Sequence, residues 1–183
     1  VADELLIGSL CSGYGGLDLA VEDVFPQARL AWYAQWEPPD RKTKNPDANQ
    51  YAAQIMAHHW PGVPNIGNIA AVDYSKVQRV HILTAGFPCQ PVSDAGKKLG
   101  VEDDRWLWPE IARAVGELRP RLVLLENVAA LLRRGLEIVL ADLAALGFDA
   151  EWECIRASDI GAPHPRSRLF VLAWPADADP LGR

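Results

Sequence analysis

Basic charge is scarce in this chain. Its 183 residues carry 18 Lys and Arg against 24 Asp and Glu, for a net charge of −6. A free-standing nucleic-acid binder usually shows a basic surplus, so any reading that involves nucleic acid must account for the deficit. Cysteine is scarcer still. Cys11, Cys89 and Cys154 are odd in number, far apart and never in a CxxC pair. That spacing argues against a disulfide framework and for a reducing, cytoplasmic setting. His58 and His59 are adjacent and have no neighbouring cysteine, so no metal site is expected. No apolar run reaches membrane-spanning length, and no basic stretch precedes an apolar one at the start, so neither an anchor nor a leader is expected. Internal repeats and low-complexity tracts are also lacking. With 49% hydrophobic and 23% charged residues, the composition is that of one globular domain with a sizeable core.

What the chain does have is a series of short apolar runs, each ending in polar or glycine-rich residues. Residues 5–11 read as a first strand running into Ser12-Gly13-Tyr14-Gly15-Gly16 and then a helical stretch from Leu17. Strand, glycine-rich turn and helix form the nucleotide-cradling arrangement of the Rossmann type, because glycines admit a ligand close to the backbone and the helix start offers free N–H groups. Residues 30–36 read as a second strand ending at Glu37, an acid about 20 residues after the turn and suited to ribose hydroxyls. Residues 38–49 read as a loop, 51–60 as a helix, and 65–69 as a third short strand and turn.

The next strand, residues 80–85, leads into Gly86-Phe87-Pro88-Cys89-Gln90-Pro91-Val92-Ser93. Two prolines stiffen the backbone around Cys89, and a thiol fixed just past a strand end is well placed to react. Residues 95–104 read as a mobile polar segment. A helix follows over 107–118 with Pro109 in its first turn and Ile111, Val115 and Leu118 on one face. Residues 121–125 form an apolar strand tipped by Glu126-Asn127. A second amphipathic helix carries Leu136, Val139, Leu140, Leu143 and Leu146 and is closed by Gly147. Two more strands, 148–156 and 168–174, complete a doubly wound, mostly parallel α/β sheet with helices on both faces and an antiparallel strand near the end.

These motifs, in this order, resemble the cytosine-C5 DNA methyltransferases over essentially the whole chain. The residues carrying the resemblance are the cofactor turn Cys11 to Gly16, the acid Glu37, the nucleophile loop around Cys89, the Glu126-Asn127-Val128 motif and Arg166-Ser167-Arg168. The resemblance implies a Rossmann-like S-adenosylmethionine-dependent methyltransferase fold with double-stranded DNA as partner. The expected cofactor contacts are Cys11, Ser12, Gly13, Tyr14, Gly15, Gly16, Glu37, Asn68, Ile69, Phe87, Pro88 and Leu107. The expected catalytic residues are Cys89, Glu126, Asn127, Arg166 and Arg168. In the implied chemistry the Cys89 thiolate attacks carbon 6 of a flipped-out cytosine, Glu126 holds or protonates N3 and Arg168 binds O2. Asn127 orients the nucleophile loop, and residues 93–104, with Lys97 and Lys98, close over the base.

Three positions depart from the family pattern. Cys11 stands where Phe is usual, Asn68 where an Asp meets the adenine amino group, and His164 where Gln is usual. The larger departure is length, since the family continues past the arginine motif into a target-recognition domain and a returning segment. Residues 1–183 are thus expected to be a truncated catalytic domain without target recognition, which accounts for the acidic balance. Either a second polypeptide would supply the missing part or the lobe is cut from a longer gene. A non-catalytic lobe that binds cofactor or a partner, and an RNA cytosine methyltransferase, stand as alternatives.

Overall fold

A computed structural model describes residues 4–38, 50–88 and 106–178. The described residues form a six-stranded sheet built from β1 (Leu5–Leu10), β2 (Ala28–Ala34), β3 (Ile82–Gly86), β4 (Leu122–Val128), β5 (Phe148–Arg156) and β6 (Ser167–Pro175), in the order β2-β1-β3-β4-β6-β5. β2, β1, β3 and β4 run parallel, whereas β6 is antiparallel to both of its neighbours. The central strands explain the short apolar runs. Ile82 to Ala85 of β3 are all buried, as a parallel strand covered on both faces must be. β5, at an edge, is mostly exposed beyond Phe148 and leaves Trp152 exposed as well.

Helices cover the two faces. α1 (Gly16–Val24) and α2 (Tyr51–His59) pack Val21 and Met56 against Ile7, Leu30, Tyr33 and Ile82. On the other face α3 (Trp108–Leu118), the single turn α4 (Leu131–Arg134) and α5 (Leu136–Ala145) cover Leu10, Leu83, Ala85, Val123 and Leu125. The face of α3 marked by Ile111, Val115 and Leu118 is buried as its periodicity predicts, and Trp108 and Ala114 join it. Each of its large side chains contributes about 1.5–3 kcal/mol by leaving water.

Three expectations are corrected. Residues 65–69 are not a strand. Asn65 makes one isolated bridge to Tyr33, Gly67 turns the chain at φ 78°, and a 3-10 turn, Ile69–Ala71, follows. The polar Asn65 side chain takes the Gln35 backbone bonds that a ladder would have used. β2 begins and ends two residues earlier than read, because its ladder with β1 stops at Leu10↔Ala34. Glu126 and Asn127 lie within β4, not beyond its tip, since β6 continues the pairing to Val128↔Arg168. Most of the expected 38–49 loop, Cys89 and the segment 95–104 lie outside the described residues.

Strand order reverses between β1 and β3, and open α/β sheets bind ligands in the crevice at that point, beyond the carboxyl ends of the strands. The turn after β1, Phe87-Pro88 after β3, the end of β4 and the start of antiparallel β6 all meet there.

Candidate active site

A cleft of about 670 Å³ opens at this edge. One wall is the turn after β1. Cys11 adopts a left-handed φ of 50° while its N–H donates to Ala34 O at 2.9 Å, which bends the chain off the sheet. Burial pushes the Cys11 thiol up to about 12, so it is a protonated, inert hydrophobe at neutral pH. Gly13 N–H donates to Gln35 Oε1 at 2.8 Å and Gly15 N–H to Ser12 O at 2.9 Å, pinning the turn to the end of β2.

The two left-handed glycines of this turn are not equivalent. A Cβ on Gly15 would lie 2.4 Å from the Trp60 ring, whereas one on Gly13 meets nothing within 4 Å. Gly15→Ala is expected to destabilise by about 2 kcal/mol, through both overpacking and strain. Gly13→Ala is expected to cost about 1 kcal/mol, for the left-handed conformation alone. Urea melts of the two variants check this ordering.

The second wall is the segment after β2. Asn65 binds both backbone groups of Gln35, and the Gln50 side chain binds both backbone groups of Glu37. These clamps fix the main chain while leaving the Glu37 side chain available. Among the described residues, Glu37 Oε2 and Ser12 Oγ are buried without a hydrogen-bond partner. Buried polar atoms are rarely left so, and the orphaned Glu37 oxygen on the cleft wall suits a ligand bearing hydroxyl groups. Trp36, Ile69, Phe87 and Leu107 add apolar surface. The residues present therefore fit a nucleoside-containing group such as S-adenosylmethionine.

The floor is polar. Arg168 Nε donates to Glu126 Oε1 at 2.8 Å. The pairing follows from sheet register, for Glu126 faces Phe170 and Arg168 is its diagonal neighbour on the same face. The two side chains are only 23% and 27% exposed. Burial pushes the Glu126 carboxyl up, against the opposing pull of Arg168 and Arg166, and burial prevails. Asn127 Nδ2 donates to Phe87 O at 3.2 Å, and its Oδ1 accepts from Val128 N–H at 2.8 Å. The backbone two residues before Cys89 is thereby anchored to β4.

Residues 5–180 match the family model of the C-5 cytosine-specific DNA methylases. The chain belongs to this family. It is similar to the type II methyltransferase M.NlaX of Neisseria lactamica, 32% identical over 170 residues that make up 90% of this chain and 50% of that protein. It is also similar to M.HhaI of Haemophilus parahaemolyticus, at 30% identity over 97% of this chain and 52% of that protein. The chain thus spans about half the length of these relatives. In fold it matches the crystal structure of the S. pombe Dnmt2 methyltransferase, with a TM-score of 0.74 at 18% identity over 96% of this chain and 52% of that one. A Spodoptera frugiperda DNMT2 mutant gives 0.75 at 20% identity, over 98% and 53%.

Within this methylase fold the cleft brings together Cys11, Gly13, Glu37, Asn68, Ile69, Phe87, Pro88, Leu107, Glu126, Asn127, Arg166 and Arg168 from the sequence-derived candidates. Ser12, Tyr14, Gly15 and Gly16 belong to the turn but do not line it, and Tyr14 is 67% exposed. Cys89 lies outside the described residues. Sequence reading missed Gln35, whose side chain holds Gly13, and the buried Asp18, which accepts from Ser9 and Thr84. The available signal for Asp18 was a carboxylate in the first turn of a helix, flanked by leucines, directly after the glycines. Among the described residues, no helix is long and apolar enough to cross a membrane, and no group of three His, Cys, Asp or Glu could hold a metal.

Proposed function

We propose that this lobe carries the chemistry of a cytosine-C5 DNA methyltransferase, acting on double-stranded DNA in the cytoplasm. The observation that carries the reading is the half-buried Glu126–Arg168 pair on the floor of a cleft that also holds the orphaned Glu37 carboxylate. S-adenosylmethionine, when bound, supplies an electrophilic methyl group. The Gly13 turn, Glu37, Asn68, Ile69 and Leu107 would hold it.

Carbon 5 of cytosine is a poor nucleophile in an intact aromatic ring. Addition of the Cys89 thiolate to carbon 6 breaks the ring's conjugation and moves the electron pair to carbon 5. Glu126, whose affinity for a proton burial raises, donates a proton to N3 as that charge develops. Arg168 donates to O2 and Arg166 adds positive charge nearby. After carbon 5 has taken the methyl group a base, water in the simplest case, removes its proton. The electron pair forms the carbon 5–carbon 6 double bond and expels the Cys89 thiolate, and N3 returns its proton to Glu126. Asn127, through Phe87 O, positions the loop that carries the thiol. A cytosine inside a duplex cannot enter such a cleft, so the base must leave the stack. Since the chain spans half its relatives' length, we place target recognition outside this lobe, on a second polypeptide or on further sequence.

Covalent trapping tests the reading. On duplex DNA containing 5-fluorocytosine, with S-adenosylmethionine, a protein–DNA adduct is expected that Cys89→Ser abolishes. Failure of the folded protein to form one, both alone and with a recognition polypeptide, overturns it.

A further inference from the structure

The cleft wall that carries Asn68 and Ile69 runs into the 3-10 turn Ile69–Ala71. A turn that short leaves its last carbonyls without partners of their own. Here Ile69 O accepts from Arg113 Nη2 at 2.8 Å, and Val72 O accepts from Arg113 Nη1 at 3.0 Å. Arg113 stands on α3, where two carboxylates hold its guanidinium. Glu110 accepts from Nε at 3.0 Å and pairs with Nη2 at 2.9 Å, while Glu117 accepts from Nη1 at 3.2 Å. The group also lies over the ring of the buried Tyr74, 4.9 Å from its centroid. A planar fork with all three nitrogens engaged is held in one place, so the two segments that it joins keep one spacing.

The helix contributes to the cleft at its start. Leu107, which precedes α3, lines the cleft, and its backbone oxygen accepts from Ile111 N–H at 3.2 Å. Arg113 thus ties the Asn68–Ile69 wall to the helix behind Leu107 while lining no part of the cleft itself. Glu126 and Arg168 stand on β4 and β6, where sheet register places them independently of this clasp. We infer that Arg113 is a positioning residue: by clasping the 3-10 turn to α3 it sets the distance between the Asn68–Ile69 wall and Leu107, and with it the affinity of the cleft for its ligand. This deepens, and rests on, the assignment of the cleft to S-adenosylmethionine. Arg113→Met keeps most of the apolar stem and removes every donor. Arg113→Lys keeps the charge on a single ammonium, which cannot grip two carbonyls as a fork does. Arg79 offers the comparison, because its Nη1 donates to Leu118 O at 3.0 Å, at the far end of the same helix and away from the cleft.

Calorimetric titration with S-adenosylhomocysteine tests this. Arg113→Met is expected to bind it about tenfold more weakly than the wild type, Arg113→Lys about threefold more weakly, and Arg79→Met as tightly as the wild type. Thermal melts establish that each variant is folded at the titration temperature, and Arg113→Lys decides on the same terms if the methionine variant does not fold. Wild-type affinity in the folded Arg113 variants, or an equal loss in Arg79→Met, overturns the inference and leaves the cofactor assignment standing. Failure of the folded wild type to bind the ligand overturns both.

Discussion

Glu126→Gln is expected to slow single-turnover methylation by about 10²–10³-fold, the contribution typical of a positioned general acid. Glutamine keeps the shape of the side chain and can still hydrogen-bond to ring N3, but it has no proton to transfer. The environment of Glu126 suits proton donation. Burial raises its affinity for a proton, and the positive charges of Arg168 and Arg166 hold that rise in check. A wholly isolated buried carboxyl would hold its proton too tightly to release it, and an exposed one beside arginine would have none at neutral pH. The pH profile separates the roles. Thiolate formation at Cys89 makes the rate rise with pH, and deprotonation of Glu126 makes it fall again once pH lies above both pKa values. Glu126→Gln should lose the falling limb and keep the rising one. An unchanged rate and an unchanged profile would remove Glu126 from the proton-transfer role.

The sequence made Glu126 visible because chemistry restricts residue type there, and the same holds for Arg168. Strands were readable for a related reason. A parallel strand covered on both faces must be a short, unbroken apolar run, as 80–85 and 121–125 are. Side-chain substitution for backbone pairing was not readable. Asn65 satisfies Gln35 through its amide, so residues 65–69 look extended in sequence yet make a single bridge. The Glu126–Arg168 contact also escaped, for it depends on the antiparallel register of β6 against β4, and a shift of one residue would have turned Arg168 to the other face. Buried polar clusters are the hardest case. Ser9, Asp18 and Thr84 are ordinary residues far apart in the chain, and only the folded sheet gives them a common purpose.

That cluster supports the largest expected effect on stability. Asp18→Ala should lower the unfolding free energy by about 3 kcal/mol, through two buried hydroxyls left without their acceptor and a small cavity. Asp18 is 0% exposed; its Oδ2 accepts from Ser9 Oγ at 2.8 Å and its Oδ1 from Thr84 Oγ1 at 2.6 Å. Ser9 and Thr84 are paired neighbours on β1 and β3, so one carboxylate on α1 ties together three elements that converge on the cleft. Burial pushes its pKa up, the hydrogen bonds from Thr84 and Ser9 pull it down, the Glu22 charge pushes it up, and the net direction is up. The folded state then binds a proton more tightly than the unfolded state does. Stability contributed by this group is fully present below the unfolded pKa and is lost as pH rises through the folded one. Asp18→Asn carries no titrating proton and should flatten that slope. Its amide can still bond both hydroxyls once one of them turns to accept, so it should cost less than alanine. Urea midpoints measured across the acid range for the three proteins decide the matter. Equal losses in alanine and asparagine would mean that the two hydroxyl contacts contribute nothing, and an unaltered slope in asparagine would place the acid-side titration on another group. If both expectations hold, the clamp beneath the glycine turn is set by two hydrogen bonds to a single carboxylate.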